Sequence, residues 1–328
     1  MTTALTKQND LAVATGAPSS VPTGEIHCAF AIDDQYCQHL SAVLVSILRH
    51  SPAACFHFHV LHHKVTAANL SKLSETSLPQ SRVSLSFYCI DDGLLQTLRV
   101  DGHISVASYL RLFLSEILPP DVKRVIYLDS DIIVLDDLAY LWNIDLLGKP
   151  VAAAADLFML ETDRPGAPAD HVYFNAGVLV IDLDRWRSRE IFREFIELAI
   201  GKSDILKYHD QDVLNIVFAG SAYYIPSTWN YQARTSRPGH DFETALGHVS
   251  SLRETTPSIV HFAGAEKPWI YYYDVPFEGV YFRYLAETPW RGFIPPDKTL
   301  PAVLRRYVWR YAPWFGRMLQ RSLANPGL

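Results

Sequence analysis

Arg124-Val-Ile-Tyr-Leu-Asp-Ser-Asp-Ile-Ile-Val134 is the stretch that decides the fold. An apolar run, Val125 to Leu128, stops at Asp129 and Asp131, and a second apolar run, Ile132 to Leu135, follows at once. The first run reads as a parallel strand buried on both faces. It delivers two carboxylates to a strand's C-terminal end, the edge at which open α/β sheets bind ligands. Hard oxygen donors at i and i+2 suit Mg²⁺ or Mn²⁺, which bridge to phosphate oxygens and favour departure of a phosphorylated leaving group. Two acidic turn residues without a metal are the plainer alternative. Turn acids keep company with Gly, Asn and Ser, however, and apolar runs flank this pair on both sides.

Outward from this stretch, strands alternate with helices. Ile26 to Ile32 reads as a strand. Leu40, Val43, Leu44, Ile47 and Leu48 recur at helical spacing until Ser51-Pro52. Phe56 to Leu61 and Val83 to Ile90 read as strands, Thr66 to Thr76 and Val106 to Leu118 as helices. Beyond the acidic pair come a short buried strand, Pro150 to Ala155, ending at Asp156, and a strand from Tyr173 to Asp182 with Asn175 and Gly177 near its start. An amphipathic helix from Arg185 to Ile200 follows, then an acid-capped helix from Asp210 to Phe218, an aperiodic functional loop from Tyr231 to Thr256, and a last strand, Ser258 to Phe262. The alternation predicts a parallel doubly wound sheet of nucleotide-binding character.

The chain has 328 residues, 49% of them hydrophobic, enough for a sizeable core in one enlarged α/β domain or equally in two. A net charge of −6 argues against a general nucleic-acid binder. Cys28, Cys37, Cys55 and Cys89 show no C-x-x-C spacing and read as reduced, mostly buried thiols of a reducing compartment. No run reaches the roughly 18 apolar residues of a membrane span, and the N-terminus lacks a secretory pattern. Residues 1–24, rich in Thr, Ser, Ala and Pro, read as a disordered leader, 25–296 as the folded domain, and 297–328 as a tail. In that tail Arg305, Arg306, Arg310, Arg317 and Arg321 alternate with aromatics. Leu304, Tyr307, Val308 and Tyr311 form one stripe, and Trp314, Phe315, Met318 and Leu319 a second beyond Pro313. Such a segment suits the headgroup region of an anionic membrane, with each Arg worth about 1 kcal/mol near the surface. The expectation is a cytoplasmic protein attached peripherally to the inner face of the membrane. The alternative is a stripe packed on the protein's own core and a solvated arginine face.

Other constellations gather at predicted strand ends. Asp33 and Asp34 follow the first strand, where a carboxylate can accept from a ribose hydroxyl or base N–H and Tyr36 can stack on a base; a plain helix N-cap explains the acids equally well. His261 can supply a nitrogen ligand, Gly264 permits close approach to a phosphate, and Lys267 supplies a point charge; a core His and a surface Lys are the alternative. Asp210-Gln-Asp212 puts three polar groups at a helix start, of which capping explains one. Arg111, among Leu110, Leu112 and Leu114, needs a buried partner, and a structural carboxylate is favoured over a ligand anion.

Taken in order, AIDDQY (Ala31 to Tyr36), SYLRLFLSEIL (Ser108 to Leu118), RVIYLDSDIIV (Arg124 to Val134), AAADLF (Ala153 to Phe158), YFNAGVLVIDLDRWR (Tyr173 to Arg187), HDQDVLN (His209 to Asn215) and HFAGAEKPW (His261 to Trp269) resemble glycosyltransferase family 8, above all its bacterial lipopolysaccharide galactosyltransferases. The resemblance implies a GT-A fold, a Rossmann-like mixed sheet flanked by helices, a UDP-hexose donor, Mn²⁺ (or Mg²⁺) and retention of anomeric configuration. It implies Asp129, Asp131 and His261 as metal ligands. It implies Ala31, Asp33, Gln35 and Tyr36 on the uridine side, with Ser130 between the acidic pair. Arg111, Asp156, Asn175, Asp210 and Gln211 fall to the donor sugar, and Gly264 and Lys267 to the diphosphate. The acceptor it implies is a saccharide or glycolipid, and the basic tail fits its membrane attachment. Gln35 stands where an Asn is often found, and Ala263 and Ala265 replace bulkier residues at the acceptor mouth.

Retention by a glycosidase normally uses a carboxylate nucleophile. The residue the resemblance puts beneath the sugar is Gln211, a poor one. The expectation is therefore same-face substitution through an oxocarbenium-like ion pair, the leaving phosphate oxygen taking the acceptor proton, with Asp156 or Asp210 on the sugar hydroxyls. A phosphatase of the haloacid dehalogenase type would also end a strand with D-x-D, but Ile133 replaces its usual Thr or Val and the motif lies far from the N-terminus. A catalytically inactive, membrane-bound sugar-binding paralogue is the non-enzymatic alternative.

Overall fold

The computed structural model describes residues 24–77, 81–90, 106–159, 166–168, 171–234 and 256–311. Most of the leader, most of the 231–256 loop and the second tail stripe lie outside these residues. The apolar runs become strands: β1 (Glu25–Ile32), β2 (Cys55–His62), β3 (Val83–Cys89), β4 (Arg124–Leu128), β5 (Ile132–Val134), β6 (Val151–Ala155), β7 (Phe174–Asp182), β8 (Ala222–Ile225), β9 (Tyr231–Gln232) and β10 (Ile259–His261). Seven of them form one sheet in the order β3-β2-β1-β4-β7-β6-β8, and β5-β10-β9 form a smaller one.

Alternate residues of β1 feed two apolar layers. Ile26, Cys28, Phe30 and Ile32 meet Leu40, Val43, Leu44 and Ile47 of the helix Cys37–His50. Ala29 and Ala31 face the opposite layer, where Leu112, Trp186, Phe195 and Leu214 come from helical segments on the other side. Burying each such large side chain contributes about 1.5–3 kcal/mol, which fixes strand register wherever both faces are covered. The helix Cys37–His50 stops where expected, the Ser51 N–H returning to the Ile47 carbonyl at 2.9 Å.

Four local expectations are corrected. The sheet is mixed, as the family resemblance implies, rather than parallel as the alternation suggests: β7 runs antiparallel to both β4 and β6. An unbroken apolar run carries no directional signal, and this reversal brings the start of β7 to the edge where β4 and β6 end. The predicted helix over 106–118 is broken by a tighter 3-10 turn at Leu110–Phe113. The helix over 185–200 is two, Leu183–Ser188 and Ile191–Gly201, separated by Glu190 in the left-handed region (φ 50°). Arg187, at the end of the first, donates to the carbonyls of Ser115, Leu118 and Val122 and pins that segment at 2.9–3.0 Å. The thiols are all free, but only Cys28 and Cys37 are buried, while Cys55 and Cys89 are exposed. Among the described residues no helix is long and apolar enough to cross a membrane.

Candidate active site

Asp129-Ser130-Asp131 is the link between the two sheets. It leaves β4, and β5 then pairs antiparallel with β10, so that Ile132 lies opposite His261. Two backbone bonds hold the link: Asp129 N–H donates to the Gly177 carbonyl at 2.8 Å, and Phe262 N–H to the Asp131 carbonyl at 2.9 Å. Nε2 of His261 thereby comes within 3.2 Å of Asp131 Oδ1 and 3.7 Å of Asp129 Oδ2. Asp129, Asp131 and His261 place their ligand atoms within 4.8 Å of one another, the grouping expected of a metal site.

A chain of amides settles which imidazole nitrogen carries the proton. Gly177 N–H can only donate and gives to Asn175 Oδ1 at 3.0 Å, so Asn175 Nδ2 faces Asp156, donating to Oδ2 at 3.1 Å. Asn230 Nδ2 donates to the same Asn175 Oδ1 at 2.9 Å, which leaves Asn230 Oδ1 to accept from His261 Nδ1 at 2.8 Å. Nδ1 therefore carries a proton, and Nε2 is the nitrogen turned toward the aspartates. Asp131 Oδ1 is buried and has no hydrogen-bond partner, and His261 Nε2 is its neighbour at 3.2 Å. A carboxylate oxygen and an imidazole nitrogen converging at that distance are a donor pair suited to a divalent cation. Space is reserved as well: a Cβ on Gly177 would lie 2.2 Å from His261 Cε1 and 2.9 Å from Asp129 Oδ2.

Arg111 is 7% exposed and finds the structural carboxylates that the sequence favoured. Its Nη2 lies 2.9 Å from Asp129 Oδ1, its Nε 2.8 Å from Asp210 Oδ2, and its Nη1 donates to the Ala176 carbonyl at 2.6 Å. The 3-10 turn at Leu110–Phe113 carries this guanidinium. Burial works against its charge, but Asp129 and Asp210 outweigh that and raise its pKa further. Burial pushes the Asp210 carboxyl up to about 7 against the pull of Arg111. Burial would likewise raise Asp131, yet Lys267 and His261 together outweigh it and hold the group well below the ordinary carboxylate range. Lys267, expected at a phosphate, thus ion-pairs with Asp131 and also donates to the Phe262 carbonyl at 2.7 Å. Gly264 (φ +81°) makes the turn that brings it there.

On the far wall, Gln211 Oε1 accepts from Ala176 N–H at 3.0 Å, and its Nε2 lies 3.5 Å from Asp156 Oδ2. His209, in a strained backbone conformation (φ 47°, ψ −112°), starts the Asp210–Val217 helix without a side-chain cap. Asp212, inside the helix, accepts from the N–H groups of Lys207 and Tyr208 in the preceding loop at 2.8 and 2.7 Å and so serves structure rather than ligand. Asp33 caps a short turn, its Oδ1 accepting from Gln35 and Tyr36 N–H. Asp34 is tied to Thr66 and Asn69. Tyr36 sits edge-on to Trp269 at 5.8 Å and, with Gln35, lines a separate hollow of about 580 Å³. Ala31 and Ser130 are buried at the ends of β1 and β4. The structure thus gathers Asp129, Asp131, His261, Lys267, Arg111, Asp210, Gln211, Asp156 and Asn175 at one sheet edge. Asn230 was not legible; its only signal is that a metal-binding His needs an acceptor for its second nitrogen.

A Rossmann-like mixed sheet with an acidic pair on the switch into a second sheet is the GT-A arrangement of a glycosyltransferase. The glycosyl transferase family 8 model matches residues 27–272, and the chain belongs to that family. General stress protein A of Bacillus subtilis (strain 168) is 31% identical over 81% of this chain and 94% of its own length. Lipopolysaccharide 1,2-glucosyltransferase of Escherichia coli (strain K12) is 25% identical over 88% and 86%. The crystal structure of the galactosyltransferase LgtC in complex with donor and acceptor sugar analogs superposes with a TM-score of 0.70 at 27% identity, over 81% of this chain and 99% of that one.

Proposed function

We propose that this protein is a retaining hexosyltransferase that moves a hexose, galactose in preference to glucose, from a UDP donor to a saccharide acceptor, a lipid-linked or lipopolysaccharide glycan. The observation that carries the reading is the buried, unpartnered Oδ1 of Asp131 facing Nε2 of His261, with Asp129 beside them. These three residues would hold Mn²⁺, with Mg²⁺ as the alternative, and the ion would supply charge neutralisation for the departing UDP. Lys267 is placed to trade its Asp131 partner for a phosphate oxygen once that carboxylate is shared. The donor preference and the acceptor class rest on the relatives whose names carry galactosyl and lipopolysaccharide transfer.

The far wall supports retention without a covalent intermediate. Gln211 is an amide whose oxygen is already occupied by Ala176 N–H, so it can orient a sugar but is a weak nucleophile. Asp156, held by Asn175, can accept from a sugar hydroxyl. Asp210, held by Arg111, can do the same when ionised and donate when protonated. Same-face attack follows, the leaving phosphate oxygen taking the acceptor proton. The uridine side falls to Ala31, Asp33, Gln35 and Tyr36, and the folded catalytic unit to residues 25–296. The tail from 297 would hold the protein peripherally on an anionic membrane surface at its cytoplasmic face.

The test is UDP release from UDP-galactose and UDP-glucose with and without Mn²⁺. Release should require the ion, favour UDP-galactose, and vanish in Asp129→Ala and Asp131→Ala. A folded protein that releases no UDP from either donor with Mn²⁺ present would overturn the proposal, and so would a hexose trapped covalently on Asp156, Asp210 or Asp212.

A further inference from the structure

At the opposite edge of the large sheet, where β1 and β2 begin, three imidazoles share one face. His27 is the register partner of His57, and His59 lies two residues on, beside Ala29. His59 is fully buried, while His27 and His57 are half-buried. The outer nitrogens of the β2 pair are held by β3: His57 Nε2 lies 2.8 Å from Ser86 Oγ, and His59 Nδ1 3.0 Å from Tyr88 Oη. The inner nitrogens converge. His27 Nδ1 is 3.0 Å from His59 Nε2, and His57 Nδ1 is 3.6 Å from Glu25 Oε2. One ring nitrogen from each histidine falls within 4.8 Å of the others.

We infer that His27, His57 and His59, with Glu25 as a fourth donor, form a second metal site for a borderline divalent ion of the Zn²⁺ type. The hydrogen bonding is compatible with the required tautomers. If His57 donates Nε2–H to Ser86 and His59 donates Nδ1–H to Tyr88, both inner nitrogens present lone pairs, and each ligand's other N–H is satisfied by an oxygen, as metal-bound histidines require. His27 completes the set by carrying its proton on Nε2, so an ion takes the place of the proton now shared between His27 and His59, with no net proton release. Zn–N bonds of about 2.0–2.1 Å place tetrahedral ligand nitrogens roughly 3.3 Å apart, close to the His27–His59 separation. The wider gaps close by rotation of the half-buried His27 and His57 side chains. Burial keeps His59 neutral, its pKa pushed down to about 3, and also lowers that of His27, so both are ligands rather than cations at neutral pH. A bound ion would clip β1 to β2.

The test uses the full chain, stripped of metal and titrated with Co²⁺. The native chain should bind two equivalents. The Asp131→Asn chain should retain one, showing the visible d–d band of a four-coordinate site and displaced by Zn²⁺. In the Asp131→Asn background, His27→Gln and His57→Gln should each abolish that equivalent, with folding verified by circular dichroism, and Glu25→Gln should weaken it about tenfold. Absence of a bound equivalent in folded Asp131→Asn would overturn the site, as would Co²⁺ binding undiminished by all three substitutions.

Discussion

Gly177 and His261 are in such close register that a single methyl group on the glycine would occupy the imidazole's place, 2.2 Å from Cε1 and 2.7 Å from Nδ1. The requirement is for space, since Gly177 has no left-handed backbone to accommodate. Gly177→Ala should therefore displace His261 from the aspartates while β7, paired on both sides, keeps its place. The expected result is a loss of Mn²⁺ affinity of about 10–100-fold, with UDP release falling in parallel and recovering only at high Mn²⁺. Equilibrium Mn²⁺ binding by electron paramagnetic resonance measures it, and an affinity equal to that of the native chain would contradict the argument.

Asn230 acts one step further out. It accepts from His261 Nδ1 and donates to Asn175, whose other amide end holds Asp156. Asn230→Leu leaves Nδ1–H without an acceptor and lets the ring turn or adopt the other tautomer. The Mn²⁺ concentration for half-maximal UDP release should rise about tenfold or more, with the saturating rate changed far less. Asn230→Asp, which keeps an acceptor at the same place, should restore affinity. A purely structural role would instead lower the unfolding midpoint in both variants alike.

Two neutral histidines give the fold a defined response to acid. His39, stacked on Trp269 at 3.4 Å and 2.7 Å from Tyr281 Oη, is pushed down by burial to about 3, as is His59. A group whose folded pKa lies below its unfolded value of 6.5 leaves the unfolded chain binding more protons in between. The stabilisation is complete above 6.5 and is lost as pH falls towards 3, with a slope of up to about 1.4 kcal/mol per pH unit for each group. Asp210, raised to about 7, works in the opposite sense, so the native profile is a difference of terms. Urea unfolding of the native chain and of His39→Gln isolates one of them: their stabilities should converge by about 1 kcal/mol per pH unit between roughly pH 6 and 4. Parallel profiles would show that His39 titrates normally.

The parts of this fold that sequence could foretell are those written in apolar runs and turn residues. Val125 to Leu128 is a strand because nothing polar interrupts it, Ile26 to Ile32 is interrupted by His27 alone, and Asp129 and Asp131 sit at the end of the first. The direction of β7 left no such mark, because the run from Ala176 to Ile181 has no polar side chain whichever way it runs. The breaks at Leu110–Phe113 and at Glu190 follow from long-range demands. Arg111 must reach Asp129 and Asp210, and Arg187 must reach the 115–122 carbonyls. Periodicity within one segment carries neither demand. The site was legible where residues cluster in short motifs, such as Asp210-Gln211 and His261 to Lys267. Asn230 lies alone in a turn, and only the three-dimensional amide chain identifies it. Asp33 and Asp34 were ambiguous in sequence, and their carboxylates are used locally, for the turn and for Thr66 and Asn69.

The helix Leu300–Tyr311 divides the tail's chemistry between two faces. Arg306 is turned inward, 2.8 Å from Asp274 and in contact with Glu278, and Arg305 lies 3.8 Å over the Tyr272 ring. Leu304 and Tyr307, one turn apart, are 57% and 63% exposed. The alternative in which the stripe packs on the core and the arginines are solvated therefore does not describe these four residues. If the tail meets a membrane, the apolar pair is what enters it. Arg306, already neutralised by two carboxylates, contributes less than the roughly 1 kcal/mol of a free surface arginine. Immersing a Leu or Tyr side chain is worth about 1.5–3 kcal/mol. Leu304→Glu combined with Tyr307→Glu should therefore release the protein from phosphatidylglycerol vesicles by more than about tenfold, while Arg306→Ala should change sedimentation little and UDP release by either variant should persist. Release by Arg306→Ala with retention of the double glutamate variant would place the membrane contact on the arginine face instead.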